Sequence, residues 1–396
     1  RFLGNKTTKP EILLQEMLVR VGDPADPALI EQSRQAIMDL GLFKSVRADL
    51  LVAPAGPVLQ IRVKEKYYYL VIPKLNRSDD GVGLGAQLRL DNIAGLNQQL
   101  KFTYEQEKTD ASSSGKQDVF SLLYTYPRMF GSPYLLEIEG GVERLPLEVL
   151  SGETVTAGYE RTASFAGFKF TRWLNLTGPS QGWQVGGGLV WRQQTHRHLF
   201  GTPDLYRDGT GVGAVGLIEY RKVHDYLYSR GGQNYGLNVE FGLSGLGSDT
   251  DYSREVLYYR GYWPVFDWPH HNLDVQLQLG LSSDRLFDTD AYALGGSGSL
   301  RGYKAGSVTG NAFMLANVEY LAPLFGYYPL RGVVFADVGN AFPGNRDIGF
   351  SDLKWSAGLG LRLKLKSFVR LDLRVDVAYA FDTNETKVYA GTKQTF

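Results

Sequence analysis

Apolar positions recur along this chain with two different periods, and the change falls near residue 66. On the N-terminal side the spacing is helical. Ile12, Leu13, Glu16 and Met17 predict a short helix opened by Pro10. Leu29, Ile30, Ser33, Ala36, Ile37 and Leu40 recur at three and four, which predicts a second helix with one buried stripe. Asp26 can cap its first free amides, Pro27 suits the first helical position, and Gly41 ends it. Two alternating segments follow, Val46 to Val52 and Val58 to Val63, divided by the turn signal Ala53-Pro54-Ala55-Gly56. Arg1-Phe2-Leu3-Gly4-Asn5 reads as the end of a strand and its turn, so a mature or truncated chain is expected, its first strand cut short. The predicted order over 1–66 is strand, helix, helix, strand, strand.

Past Lys66 the period becomes two. Val82, Leu84, Ala86, Leu88 and Leu90 alternate with Gly83, Gly85, Gln87, Arg89 and Asp91. Leu273 to Leu281 alternate likewise with Asp274, Gln276, Gln278, Gly280 and Ser282, and Val369 to Val377 with Arg370, Asp372, Arg374 and Asp376. Successive strand side chains point to opposite faces, so each segment has an apolar side and a polar one. The runs approach ten residues, the length of a tilted bilayer crossing rather than of an average soluble strand, about five or six. Eleven strands are predicted near 67–74, 82–91, 97–108, 117–126, 133–146, 161–174, 183–196, 211–223, 234–244, 252–264 and 271–283. Five more fall near 310–322, 330–339, 354–364, 368–380 and 385–396, and the stretch 147–160 could extend its neighbours. The expected fold class is mainly β: a 16-stranded antiparallel transmembrane barrel over 67–396, preceded by a small α+β domain.

Composition narrows the picture. The 47 glycines and the 24 Tyr, 20 Phe and 6 Trp suit a membrane barrel with aromatic girdles. Forty-two basic residues balance 42 acidic ones, which gives no global electrostatic case for nucleic acid. Cysteine is absent, which removes disulfides, thiolate metal sites and cysteine nucleophiles, and is compatible with an oxidising periplasm. No apolar run reaches the length of a spanning helix.

The motifs in the N-terminal segment sharpen its assignment. Phe2-x-Gly4-Asn5-x-x-Thr8, Gly22-Asp23-Pro24 and Leu40-Gly41-Leu42-Phe43-x-Ser45-Val46 resemble a POTRA domain, the periplasmic module of the BamA/TamA superfamily. A long gap at 284–309 holds Gly295-Gly296-Ser297-Gly298-Ser299-Leu300-Arg301-Gly302-Tyr303. Its Leu300-Arg301-Gly302-Tyr303 run resembles the signature of the loop that folds back into the lumen in BamA, TamA and two-partner-secretion transporters. Asn317-Val318-Glu319-Tyr320 and Phe335-Ala336-Asp337-Val338-Gly339 resemble the two wall motifs that follow it. By parity Glu319 lies opposite Val318 and Tyr320, and Asp337 opposite Val334 and Val338, so both carboxylates are expected to point inward. An arginine between two inward carboxylates would pin the loop.

The ends of the barrel suggest a seam. Phe396 as last residue, with Gly391 five before it, resembles the recognition signal on the final strand of outer-membrane barrels, although Ala390 and Gln394 depart from that pattern. Pro73 in the first barrel strand lacks an amide donor, and Gly391 weakens the last strand. A closing edge short of hydrogen bonds is where the wall could open sideways; frayed strand ends are the plainer explanation of the same two residues.

Other motifs fail on context. Gly211-x-Gly213-x-x-Gly216 runs on into Leu217-Ile218-Glu219-Tyr220, a strand rather than a helix, so it is not a dinucleotide fingerprint. His196 and His198 share a face without an evident third ligand, and neither a catalytic constellation nor a Gly-x-Ser-x-Gly elbow is found. No enzyme activity, cofactor or metal is expected. The resemblance implies an outer-membrane protein assembly and insertion factor with its POTRA domain in the periplasm. Expected partners are unfolded outer-membrane or secreted polypeptide clients, outer-membrane lipid and periplasmic accessory proteins. A polypeptide secretion pore of two-partner type, and the membrane anchor of an upstream fused patatin-type hydrolase, are the alternative readings.

Overall fold

The computed structural model describes residues 1–54, 56–78, 81–109, 116–151, 154–283 and 290–392. The N-terminal part contains β1 (Phe2–Leu3), α1 (Pro10–Gln15), α2 (Pro27–Asp39), β2 (Phe43–Ala53) and β3 (Gly56–Glu65). Its sheet has the order β1-β3-β2, with β1 parallel to β3 and β2 antiparallel to it. The Asp26 side chain accepts from Ala28 N at 2.8 Å, and Pro27 opens α2 without an amide to satisfy. The stripe along α2 packs Ile37 and Met38 against Leu13, Leu42, Phe43, Val46, Ile61 and Val63. Tyr68 and Val369, from the barrel side, belong to the same core.

The barrel wall runs through β4 (Tyr69–Ser78), β5 (Gly81–Ile93), β6 (Gln98–Thr109), β7 (Lys116–Tyr126), β8 (Tyr134–Ser151), β9 (Thr154–Trp173), β10 (Gly182–Gly201) and β11 (Gly209–Asp225). It continues through β12 (Arg230–Gly242), β13 (Tyr252–Pro264) and β14 (Asn272–Ser282). A small hairpin of β15 (Tyr292–Leu294) and β16 (Val308–Gly310) interrupts it. β17 (Ala312–Leu324), β18 (Tyr327–Phe342), β19 (Lys354–Lys364), β20 (Asp372–Ala380) and β21 (Glu385–Gly391) complete it. These form one 16-stranded sheet, from β4 at one end to β21 at the other, in which chain neighbours pair antiparallel. Of the ambiguous 147–160 stretch, residues 147–151 lengthen β8 and residues 154–160 lengthen β9, with Leu147 opposite Tyr159.

One strand begins later than its alternation predicts. Arg370 has φ +43, a left-handed conformation that breaks the run, so β20 starts at Asp372. Val369, 3% exposed, therefore joins the N-terminal core, while Leu373, Val375 and Val377 stay on the outer face.

Alternation sorts the wall into two surfaces. Leu257, Leu277, Val318, Val334 and Leu359 are exposed outside, whereas Asp274, Gln276, Asn317, Glu319 and Asp337 are buried within. Trp183, Tyr220, Tyr235, Tyr259 and Trp263 form a file of rings with successive centroids 5.2 to 6.3 Å apart. An apolar belt bordered by such rings suits a lipid bilayer.

The N-terminal domain docks on the turns at one rim. Glu16 is buried there: Arg128 Nε donates to its Oε1 at 3.1 Å and Ser180 N to its Oε2 at 2.6 Å. Asn92 Nδ2 donates to Thr8 Oγ1 at 2.9 Å, and Lys9 N to Gly95 O at 3.0 Å. From α2, Asp39 Oδ1 accepts from Asp225 N and Oδ2 faces His224 Nδ1, both at 2.8 Å. Gly41, at φ +75, ends the helical segment with the Arg370 side chain against it, where an added Cβ would lie 3.0 Å from Nε.

Candidate functional site

The connection between β14 and β17, over its described residues 290–311, turns inward instead of capping the barrel. Its β15–β16 hairpin forms a neck, closed by Ser299 Oγ, which accepts from Gly295 N at 2.9 Å and donates to Gly295 O at 3.0 Å. Leu300, Arg301, Gly302 and Tyr303 follow, all buried. Gly302 has φ +92, and a Cβ there would stand 3.0 Å from Ala380 N in β20, so both conformation and space call for glycine.

Arg301 is 0% exposed, and a buried guanidinium must be matched by charge and by acceptors. Its Nε donates to Asp337 Oδ2 at 2.7 Å and its Nη2 to Asp337 Oδ1 at 2.6 Å, while Nη1 donates to Glu319 Oε1 at 2.5 Å. Arg301 N also donates to Asp337 Oδ2, at 3.1 Å. The Phe335 ring lies beneath the guanidinium, 3.5 Å from Cζ to centroid. Asn317 Nδ2 ties wall to loop, donating to Ser299 O at 2.7 Å and to Asp337 Oδ1 at 2.8 Å.

Three further charges on β19 and β20 extend this cluster. Arg362 Nη2 donates to Glu319 Oε1 at 3.2 Å and to Asp376 Oδ2 at 3.2 Å. Asp376 Oδ2 lies 3.6 Å from Arg301 Nη1 and 3.5 Å from Arg374 Nε, and Arg374 Nη2 reaches Ser297 O at 2.5 Å. The pin is therefore a lattice of three carboxylates and three guanidinium groups, with Arg301 on the loop and the other five on β17 to β20. Beside it the lumen holds a cavity of about 320 Å³ whose lining includes Glu139, Arg192, Glu240, Arg254 and Tyr292. A second, of about 420 Å³, lies towards the docked domain, where Glu16, Asp39, Lys101, Glu219 and Arg370 face it.

The sequence-predicted positions thus fall into two groups. Arg301, Glu319 and Asp337 meet. Pro73 and Gly391 stand at the two ends of the sheet, on β4 and β21, and among the described residues no ladder joins those strands. Pro73 points outward opposite Ala86, and the space around Gly391 is open, so no close approach demands a glycine there. Phe396 lies outside the described residues. Gly211, Gly213 and Gly216 lie within β11, His196 stacks on Tyr206 at 5.0 Å, and His198 faces Gly201 O at 3.1 Å.

A family model for the Omp85 superfamily domain matches residues 92–396. The chain belongs to the Omp85 superfamily. A model described as a surface antigen variable number repeat, of the POTRA type, matches residues 1–66 of this Omp85 chain. Its relatives include the chloroplastic outer envelope protein 80 of Oryza sativa subsp. japonica, 22% identical over 389 residues that cover 86% of this chain and 53% of that protein. The BamA outer membrane protein assembly factor of Nitratidesulfovibrio vulgaris is 40% identical over 63 residues, 16% of this chain and 8% of that one. The chain spans about half the length of the outer envelope relatives it matches. Among solved structures, CdiB from Escherichia coli aligns with TM-score 0.68 at 15% identity, covering 98% of this chain and 75% of that one. BamA from Haemophilus ducreyi lacking POTRA domains 1–3 aligns with TM-score 0.58 at 16% identity, covering 99% and 84%. At such identities the likeness concerns the fold.

Sequence reading did not single out Arg362, Arg374 or Asp376 as partners of the loop, nor Tyr389, which meets it from β21. That Arg374 and Asp376 share the polar side of their run was visible; the loop they face was not, because the contact spans more than 70 residues of chain. Nor was there a signal for Glu16 and Arg128, 112 residues apart.

Proposed function

We propose that this Omp85 protein assembles or inserts other polypeptides into an outer membrane, with its POTRA domain in the periplasm. The observation that carries this reading is the end of the sheet: β4 and β21 are its two terminal strands, and no ladder joins them among the described residues. Unpaired strand edges facing lipid are costly, and a client strand that pairs with one relieves the cost. β2 also ends its sheet, pairing with β3 alone among the described residues, and it exposes Leu50, Leu51 and Val52. Such an edge suits capture of an extended segment by strand addition. Clients would be unfolded outer-membrane or secreted chains, passed from the POTRA edge to the seam, with lipid at the wall and periplasmic accessory proteins as further partners.

The loop favours a seam over a standing pore, because Leu300, Arg301 and Tyr303 are packed inside the barrel. The test is folding of an added unfolded barrel protein in liposomes with and without this chain. Faster folding with little ion conductance is expected. Unchanged folding together with large conductance would overturn the reading in favour of a secretion pore.

A further inference from the structure

The lumen loop touches more than the wall that holds Arg301. Gly302 N donates to Tyr389 Oη at 3.0 Å, and the same hydroxyl donates to Tyr303 O at 3.2 Å. Tyr389 belongs to β21, whose seven register pairs, from Arg374↔Gly391 to Ala380↔Glu385, all lie on its β20 side. Its ring packs against the cluster of Leu321, Val333, Phe335 and Ala378, which belong to β17, β18 and β20. The single proton of Tyr303 Oη is in turn shared between Trp355 O, 3.1 Å away, and Asp382 in the β20–β21 turn. The loop therefore bonds both to the terminal strand and to the turn that leads into it.

We propose that Tyr389 is a positioning residue that couples the lumen loop to the last barrel strand. While Arg301 is pinned, the loop holds β21 in addition to the β20 ladder. This rests on the reading of the seam as the working edge, and it names what regulates that edge. The geometry runs in both directions. A hydroxyl can meet two successive loop residues only if the strand carrying it keeps its register against β20. The loop, in turn, can offer the Gly302 amide and the Tyr303 carbonyl together only in the left-handed turn at Gly302. What stabilises either partner must stabilise the other by the same factor. Displacing the loop would release the terminal strand for exchange with a client, and pulling the strand away would loosen the loop.

The alternative is that Tyr389 only fills space in its cluster, and Tyr389→Phe separates the two because it keeps the ring and removes the hydroxyl. Hydrogen exchange is measured on the whole chain in lipid nanodiscs for wild type, Tyr389→Phe, Arg301→Ala and the double variant. In Tyr389→Phe the amides of 385–391 should exchange about five to ten times faster, the loss expected for one or two net hydrogen bonds, with the β17–β18 ladder unchanged. Arg301→Ala, made at the pin, should speed the same β21 amides, and the double variant should add little, since both act through one contact. Unchanged exchange in β21 for either single variant, or simple additivity in the double, would overturn the coupling. If Tyr389→Phe fails to fold, Arg301→Ala alone decides, through the response of β21. Client folding on the same proteins keeps the claims apart: coupled exchange without client folding by wild type sinks the assembly reading and leaves the coupling standing.

Discussion

Arg301 meets Asp337 through two parallel bonds, Nε to Oδ2 at 2.7 Å and Nη2 to Oδ1 at 2.6 Å, with Phe335 beneath the guanidinium plane. A planar fork makes all three contacts at once; an ammonium on a shorter reach cannot. Arg301→Lys is therefore expected to free the loop nearly as much as Arg301→Ala. Glu319→Gln should be milder, since Asp337 and Asp376 remain. Breaking a buried pair costs about 3 to 5 kcal/mol, less where water enters, so partial loss of heat resistance is expected rather than unfolding. Labelling at Gly298→Cys or protease cleavage at Lys304 from outside the cell reads the loop directly. Equal access in wild type and Arg301→Ala would rule out the pin.

The alternation that named the sixteen strands also set the inward parity of Glu319 and Asp337, because both follow from a period of two carried through each segment. What alternation cannot supply is pairing across distance. Asp376 reads as a charge on the polar side of its run, and neither it nor Arg362 has an assignable partner until the loop is placed against them. Val369 was misplaced for a related reason: it continues the alternation of β20, yet the left-handed Arg370 turns it towards the POTRA core, a surface that only the docked arrangement creates.

The seam makes a covalent prediction. Val71 faces outward on β4 and Thr392 immediately follows β21. Cysteines at these positions, or in the adjacent registers, should form a disulfide when the terminal strands lie side by side, since bonding needs Cα atoms within about 7 Å. Crosslinking should abolish client folding, and reductant should restore it. A crosslinked barrel that still assembles clients at the wild-type rate would exclude lateral opening.

Glu16 holds the POTRA domain to the barrel rim through Arg128 and Ser180. Burial pushes its carboxyl above the usual range despite the opposing pull of Arg128 and the bonds from Ser180. Removing the cation with Arg128→Met leaves a buried charge, so docking should weaken by about 3 to 5 kcal/mol near neutrality. The sign with pH is fixed by the raised carboxyl: the folded state takes up the proton first, so the loss should shrink as pH falls towards the ordinary glutamate value. Hydrogen exchange in the turns at 127–133 and 174–181 reports docking. Identical protection in wild type and Arg128→Met at neutral pH would show that the ion pair does not hold the interface.

Lys66, at the junction of the two domains, gives a pH dependence of the opposite kind. Its Nζ donates to Gly41 O at 2.9 Å and the residue is buried. Burial pushes the ammonium down to about 8; Asp225 draws it up, and Lys364 and Arg370 press it lower. In the unfolded chain it would titrate near 10.5. Below about 8 both states are protonated, and the fold carries the full cost of a buried charge. Between about 8 and 10.5 the folded state has released the proton that the unfolded state keeps, so stability rises with pH; above that window the cost is gone. The shift corresponds to roughly 3 kcal/mol. Lys66→Met removes the charge but also the donor to Gly41 O, a loss of about 1 kcal/mol. The variant should thus be the more stable protein near pH 7 and lose that advantage near pH 10. Tyr68, whose phenol burial pushes up, contributes equally to both proteins and cancels in the difference. Thermal unfolding of the two proteins across this range provides the measurement, and parallel curves would mean that Lys66 does not carry the charge cost its burial implies.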